Sequence, residues 1–278
     1  MLKRVLITGG DERAARMAPM LEAEGFEVHT LGLFQGDERG LQTGWAHALL
    51  FPYPRSVAGG LVPTLTGLTL RPEDALACAA PGAVALHGAG LEKHLLAAGE
   101  GLRWTAYSHD ERFLTMNAEL SAEAAVYEAM GMTDEALMGM TMLVTGYGRF
   151  ARALALRLKA LGATVWVAAR RQAQRLAAAS DGMRAADFSE LADVLPRVSM
   201  ALNTVPAPVL DNEQLSLMKP GACLLELASA PYGFDRARAE AAGLKTALLP
   251  GLPARYAPQS AARALKQACV RLMLEAAP

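Results

Sequence analysis

Residues 141–169, TMLVT followed by GYG, RFARALALRLKALG and ATVWVAA, can be accommodated by few folds. A short β-rich run passes through a glycine turn into a helical pattern and then into a second β-rich run. Strand, helix and strand in that order imply a parallel sheet with a right-handed crossover. Gly146 and Gly148 stand two apart and Ala151 holds the third small position, giving G-x-G-x-x-A. The first glycine makes the tight turn. The second lets backbone N–H groups approach a pyrophosphate. The third position needs a small side chain so that helix and strand pack closely. The turn residues Gly146, Gly148, Arg149 and Phe150 are therefore candidate dinucleotide contacts.

The end of the second strand selects the dinucleotide. An acid there accepts hydrogen bonds from the adenosine ribose hydroxyls and favours NAD, whereas an arginine there pairs with a 2′-phosphate. This chain has Arg170 and Arg171 directly after VWVAA, with Gln172 as a further donor. The competing reading is two solvated arginines opening the helix RQAQRLAAA. NADP is the expected cofactor, ahead of NAD.

A second strand–turn–helix–strand begins the chain: RVLITGGDERAARMAPMLEAEGFEVHTLG. Val5, Leu6 and Ile7 form a buried strand, Gly9 and Gly10 turn it, and Pro19 is expected to weaken the middle of the following helix. Here Asp11 and Glu12 stand at the helix start, where acids suit the helix dipole and would repel a pyrophosphate. They read either as an N-terminal cap or as a polar substrate rim meeting Arg13. The chain is thus expected to be α/β, with two Rossmann-like domains built on parallel sheets. Residues 1–116 form the substrate-side domain and 117–256 the nucleotide domain. A long hinge helix over 111–137 joins them, and the amphipathic helix 257–278 packs back on the first.

Later strands, SMALNTV, ACLLELA and KTALL, end near residues 204, 227 and 249. Ligands of open α/β sheets bind outside these carboxyl ends. That adds Asn203, Thr204 and Pro206 of NTVP, and Leu227 and Ala228 of ELAS, to the cofactor candidates, with ordinary turn chemistry as the alternative. A helix is expected within LADVLPRV, and short strands and loops between residues 49 and 90.

Of 278 residues, 52% are hydrophobic, enough for two cores, and 27 basic against 28 acidic residues favour neither nucleic acid nor an anionic membrane surface. Cys78, Cys223 and Cys269 show no metal or disulfide spacing and read as small buried residues. The five histidines, His29, His47, His87, His94 and His109, show no metal-ligand spacing either, so no metal is expected. His87, closing AVALHG, is a strand-end polar residue or faces the crevice. No signal peptide or span is read at the N-terminus, and a cytoplasmic location is expected.

The segments ITGGDER, NAELSAEAA, LVTGYGRFA, NTVPAPVL, LELAS and LLPGLPARYAPQSAA resemble, in this order, segments of the A-subunit family of dipicolinate synthase. The resemblance runs over nearly the whole chain except residues 35–85. Departures from the family pattern fall at Ser121, Ala124, Glu226, Tyr232, Ala254 and Gln259. The resemblance implies NADP-dependent oxidation of a cyclic dicarboxylate, dihydrodipicolinate or its hydrated precursor, during endospore formation. It also implies a second, B-type subunit resembling flavin-binding decarboxylases; a homo-oligomer is a further expectation.

Such a reaction makes an aromatic ring, so the protein mainly has to hold a ring carbon by the nicotinamide and fix two carboxylates. Arg13, Asn117, Ser121 and Arg255 are the candidate carboxylate ligands, with Asp11 at the rim. Asn117 and Ser121, four residues apart, share a helix face expected to look toward Gly9 and Gly10 across a cleft. Glu123 is the acid placed to take a ring proton, with a solvated helix position as its alternative, and no general base is assigned. Two other readings remain: an NADP-binding regulatory module without turnover, and a dehydrogenase of another small carboxylic acid. A 2-hydroxy-acid dehydrogenase should show a catalytic histidine near the last strand, and LLPGLPARYAP has none.

Overall fold

The computed structural model describes residues 3–39, 41–91 and 93–276, without the side chains of 93–95; the side chain of His94 and the last two residues of the C-terminal segment thus lie outside the described residues. The chain divides into two compact units, Met1–Asn117 with Pro253–Pro278, and Ala118–Leu252.

The first unit runs β1 (Arg4–Thr8), α1 (Glu12–Glu22), β2 (Glu27–Leu31), β3 (Ala46–Leu50), α2 (Pro72–Leu76), β4 (Ala79–His87), α3 (Lys93–Ala98), β5 (Arg103–Ala106) and the start of α4 (Glu111–Gly131). Among the described residues its strands form one five-stranded parallel sheet, ordered β2-β1-β3-β4-β5. That is the flavodoxin-like order of doubly wound sheets. Parallel strands covered on both faces need continuous apolar runs. Val5–Ile7, Ala48–Leu50 and Ala83–Leu86 supply them, all buried. Val5 and Ile7 pack on Met17 and Leu21 of α1 and on Leu265, Ala268 and Leu272 of the C-terminal helix Pro258–Glu275. Leu6, Leu49 and Ala85 face Trp45, Phe51 and Leu70.

Four expectations for helices need correction, three of them in the helices up to α4. α1 runs unbroken through Pro19. Burial of Met17, Ala18 and Leu21 against the C-terminal helix holds it despite the lost N–H. α4 stops at Gly131, six residues short of the expected end. There Thr133 Oγ1 takes the Glu135 N–H at 3.1 Å, giving the backbone a turn in place of helix. Between residues 49 and 90, where strands and loops were expected, residues 72–76 form the short helix α2, started by Pro72 in its first turn.

The second unit contains β6 (Thr141–Thr145), α5 (Arg149–Ala160), β7 (Thr164–Ala168), α6 (Gln172–Ser180), β8 (Arg184–Ala186), β9 (Met200–Asn203), α7 (Asn212–Ser216), β10 (Cys223–Glu226), α8 (Arg236–Ala241) and β11 (Lys245–Leu248). Among the described residues the strands form a six-stranded parallel sheet, ordered β11-β10-β9-β6-β7-β8. Numbered within the unit and taken from β8, this is the 3-2-1-4-5-6 order of dinucleotide-binding sheets, and the order reverses between β6 and β9. The helix expected in LADVLPRV is instead two 3₁₀ turns, Phe188–Asp193 and Leu195–Arg197. Pro196 removes an N–H that an α-helix would need there, while Leu191 and Leu195 still anchor the segment in the core.

Candidate dinucleotide-binding site

The glycine turn lies at the switch point, just beyond the carboxyl end of β6. Gly146 has φ of +81°, and its N–H donates to the Ala168 carbonyl at 2.7 Å. A Cβ there would stand 3.0 Å from both Thr204 Oγ1 and Val205 Cγ2. Conformation and close approach thus both call for glycine at 146. Gly148 differs. Its φ is −83°, and a Cβ would have nothing within 4 Å. The fold does not need a glycine at 148; the space in front of it belongs to a groove. Ala151, 1% exposed, fills the small third position between helix and strand.

Gly148 is the N-cap of α5. As a glycine it has no side chain with which to cap this end, and no acid stands in the first turn. The first N–H groups of a helix have no partner within it and attract anions. They open onto a groove of about 290 Å³ bounded by Gly146, Gly148, Arg149 and Phe150, with Thr204 and Pro206 on the β9 side. Arg170 and Arg171, exposed after β7, bound the groove further along, and Arg171 is the N-cap of α6. Gln174 and Phe188 complete this end. Sequence alone marks neither: Gln174 lies one helical turn beyond the arginines, and Phe188 arrives from the segment of 3₁₀ turns.

Tyr147, the middle residue of the turn, is buried and donates its hydroxyl to Asp181 Oδ2 at 2.7 Å. Arg152 grips both oxygens of the same carboxylate, at 2.7 and 3.1 Å. The cluster ties the glycine turn and α5 to the C-cap of α6. The Arg152 and Tyr147 hydrogen bonds pull the Asp181 carboxyl from 3.8 to about 2. A lowered folded pKa stabilises the fold fully above the unfolded value and is lost as pH falls through the folded one. The stability gap between the protein and Asp181→Asn is therefore expected to shrink as pH falls from 3.8 to about 2. Thermal midpoints of the two proteins across that window check this; a constant gap would contradict it.

Behind the turn lies a buried polar chain. Thr145 Oγ1 donates to Asn203 Oδ1 at 2.5 Å, and Asn203 Nδ2 donates to Glu226 Oε1 at 2.7 Å and to the Val205 carbonyl at 2.9 Å. Glu226 also takes the N–H groups of Ala228 at 3.0 Å and Gly233 at 2.8 Å. Burial pushes its carboxyl above the ordinary value, and those three donors offset part of the shift. The chain locks the ends of β6, β9 and β10 together. Asn203, a candidate cofactor contact, has its side chain committed here. The N–H of Leu227 pairs with the Asn203 carbonyl at 2.9 Å. Neither Leu227 nor Ala228 bounds the 290 Å³ groove.

The first unit's glycine turn is built otherwise. Asp11 caps α1, accepting the Arg13 N–H at 3.0 Å. The Gly10 N–H donates to the Pro63 carbonyl at 2.7 Å, and a Cβ on Gly9 would lie 2.3 Å from that same oxygen. A neighbouring loop therefore covers the turn, and the cavity beside it holds only about 10 Å³. Arg13 is 3% exposed. It pairs with Asp11 at 2.6 Å, donates to the Tyr53 carbonyl at 2.7 Å and lies over the Tyr53 ring. Asn117 and Ser121 are half-buried on α4, Glu123 is exposed on it, and Arg255 is exposed beside the Tyr256 ring. His87 is half-buried at the end of β4, its Nδ1 2.8 Å from the Gly88 carbonyl. All three cysteines are buried. Among the described residues no cluster of His, Cys, Asp or Glu could hold a metal, and no helix is long and apolar enough to cross a membrane.

Residues 106–235 match the family model of the D-isomer specific 2-hydroxyacid dehydrogenase NAD binding domain. Sheet order, open helix end and family match together define the class: the second unit is a nicotinamide-dinucleotide-binding domain of the dehydrogenase type. More particularly, the chain is similar to the A subunit of dipicolinate synthase. It is 33% identical to that protein of Bacillus subtilis (strain 168) over 159 residues, 57% of this chain and 54% of the relative. The aligned part thus spans about half of the relative's length. The crystal structure of the dipicolinate synthase A subunit from Bacillus halodurans superposes with a TM-score of 0.85 at 26% identity, covering 98% of this chain and 97% of that one. The corresponding crystal structure from Bacillus subtilis also superposes at 0.85, at 25% identity, over 99% and 97%. A D-lactate dehydrogenase from Lactobacillus jensenii shares the fold alone, at 14% identity and a TM-score of 0.64, over 98% and 96%.

Proposed function

We propose that the protein is an oxidoreductase that uses NADP to oxidise dihydrodipicolinate, or its hydrated precursor, to dipicolinate during endospore formation. The observation that carries the reading is the uncapped α5 N-terminus facing the same groove as Arg170 and Arg171. It is read together with the similarity to the dipicolinate synthase A subunit. Bound in that groove, NADP would supply the acceptor for a ring hydride.

The chain's own part is to bind and orient. The N–H groups after Gly148 take the pyrophosphate. Arg170 and Arg171 take the 2′-phosphate in charge-assisted pairs. The buried Thr145–Asn203–Glu226 chain fixes the strand ends from which Gly146 and Thr204 approach the cofactor. The substrate's two carboxylates are assigned to Arg13, Asn117, Ser121 and Arg255, with Asp11 and Glu123 as further candidate substrate contacts. For Arg13 the assignment rests on the resemblance alone, because its guanidinium is taken up by Asp11 and the Tyr53 carbonyl. Loss of two hydrogens makes the ring aromatic, so positioning and not strong base catalysis is the main demand. A second subunit of the flavin-binding decarboxylase type is the proposed partner, and the cytoplasm the proposed location.

The test is turnover with freshly made dihydrodipicolinate, with and without the second subunit, following reduced cofactor and pyridine dicarboxylate by absorbance. Both signals are expected to rise together with NADP. Binding of NADP with neither signal in either mixture would make the protein a nucleotide-binding module instead.

A further inference from the structure

Arg175, on the first turns of α6, carries no motif that would mark it in the sequence. Its Nη1 donates to the Ala169 carbonyl at 2.7 Å, to the Arg170 carbonyl at 2.8 Å and to Asp187 Oδ2 at 2.5 Å. Ala169 and Arg170 are the two residues between β7 and the α6 N-cap, and both bound the groove. Arg175 is not among the groove residues. Two backbone carbonyls next to the proposed 2′-phosphate site are thus committed to a cation outside it. Carbonyl oxygens turned toward a phosphate would repel it, so this matters to charge as well as to shape.

The other end of the contact is equally fixed. Asp187 caps the 3₁₀ turn Phe188–Asp193. Its Oδ1 takes the Ser189 N–H at 3.2 Å and hydroxyl at 3.0 Å, while its own N–H donates to Glu190 Oε2 at 2.7 Å. One guanidinium therefore joins the turn that carries Arg170 and Arg171 to the turn that begins with Phe188. Arg175 is a quarter exposed and Asp187 a third, so the ion pair alone contributes little to stability. The carbonyl contacts are what shape the turn.

We infer that Arg175 is a positioning residue for cofactor selectivity: by holding the Ala169 and Arg170 carbonyls it presents Arg170 and Arg171 to the 2′-phosphate of NADP. The inference rests on the NADP reading above. NAD lacks that phosphate and does not use the two arginines, so the effect is specific to NADP. Lysine at 175 also ends in one donor nitrogen, but its stem is one bond shorter than the path to Arg175 Nη1, so it reaches the two carbonyls and Asp187 only in part.

The experiment measures dissociation constants of NADP and NAD on the wild-type protein, Arg175→Ala and Arg175→Lys. The wild type is expected to prefer NADP. Arg175→Ala is expected to weaken NADP about tenfold, the loss of roughly one such contact, and to leave NAD within about twofold. Arg175→Lys should fall between. A wild type that binds NAD and NADP equally overturns the NADP reading, and the inference with it. A wild type that prefers NADP, with Arg175→Ala weakening both cofactors alike or neither, overturns the inference alone. Should Arg175→Ala not fold, Arg175→Lys decides: an NADP preference equal to the wild type's would overturn the positioning role, and a reduced one supports it.

Discussion

Gly148→Val is expected to abolish dinucleotide binding and leave the fold standing. At φ of −83° valine meets no backbone strain, and apart from its two chain neighbours no residue lies within 4 Å of its Cβ. Stability should therefore stay within about 0.5 kcal/mol of the parent, as for other changes that disturb no packing. The branched side chain instead occupies the place of the pyrophosphate, in front of the open N–H groups of α5. Losing two charge-assisted hydrogen bonds, about 1.5–3 kcal/mol each, costs roughly a hundredfold or more in affinity, on the order of 3–6 kcal/mol. Gly10→Val is the control. At φ of +123°, with a Cβ 2.7 Å from that of Ala14, it strains the first unit and should lower its stability. Nucleotide affinity should be unchanged. Calorimetric titration and a thermal melt on each variant separate the two. Normal binding by Gly148→Val would remove the turn from the site.

Arg170→Ala and Arg171→Ala are expected each to weaken NADP by roughly ten- to a hundred-fold, the worth of one charge-assisted pair of about 1.5–3 kcal/mol. NAD affinity should hardly move. Both side chains are exposed at the groove, so neither change opens a cavity. Salt should narrow the difference, because a pair at this exposure is screened. Titrations of both cofactors on both variants at two salt concentrations provide the check. Equal losses for NAD and NADP would mean that the arginines shape the turn without touching a phosphate.

The second unit's strand–turn–helix–strand was legible in the sequence because its determinants are local. Glycine spacing, a small third residue, apolar periodicity and the residues closing β7 all lie within residues 141–171. The contrast between the two glycine turns was half legible. Asp11 could be placed at a helix start from the string alone, but the Pro63 carbonyl that meets Gly10 comes from a loop far along the chain. The residues that escaped notice share that character. Arg175 looks like one more charge on RQAQRLAAA, since its acceptors are two carbonyls and an aspartate that only the folded turn brings within reach. Asn203 carries a recognisable motif, yet its side chain goes to Glu226 across two strand ends. Pro196 is visible in the string, and its breaking of α-helix into 3₁₀ turns prevails over the apolar spacing of Leu191 and Leu195. Pro19, with the same intrinsic cost, is overridden by the packing of α1 on a helix from the far end of the chain.

We propose that one groove, at the N-terminus of α5, selects NADP through the arginines after β7. Titrating the unmutated protein with NADP and with NAD under identical conditions tests it most directly. Saturation by NADP at one site per chain is expected, with NAD at least about tenfold weaker, the difference one charge-assisted pair makes. Equal affinity for the two cofactors, or saturation by neither, would contradict it.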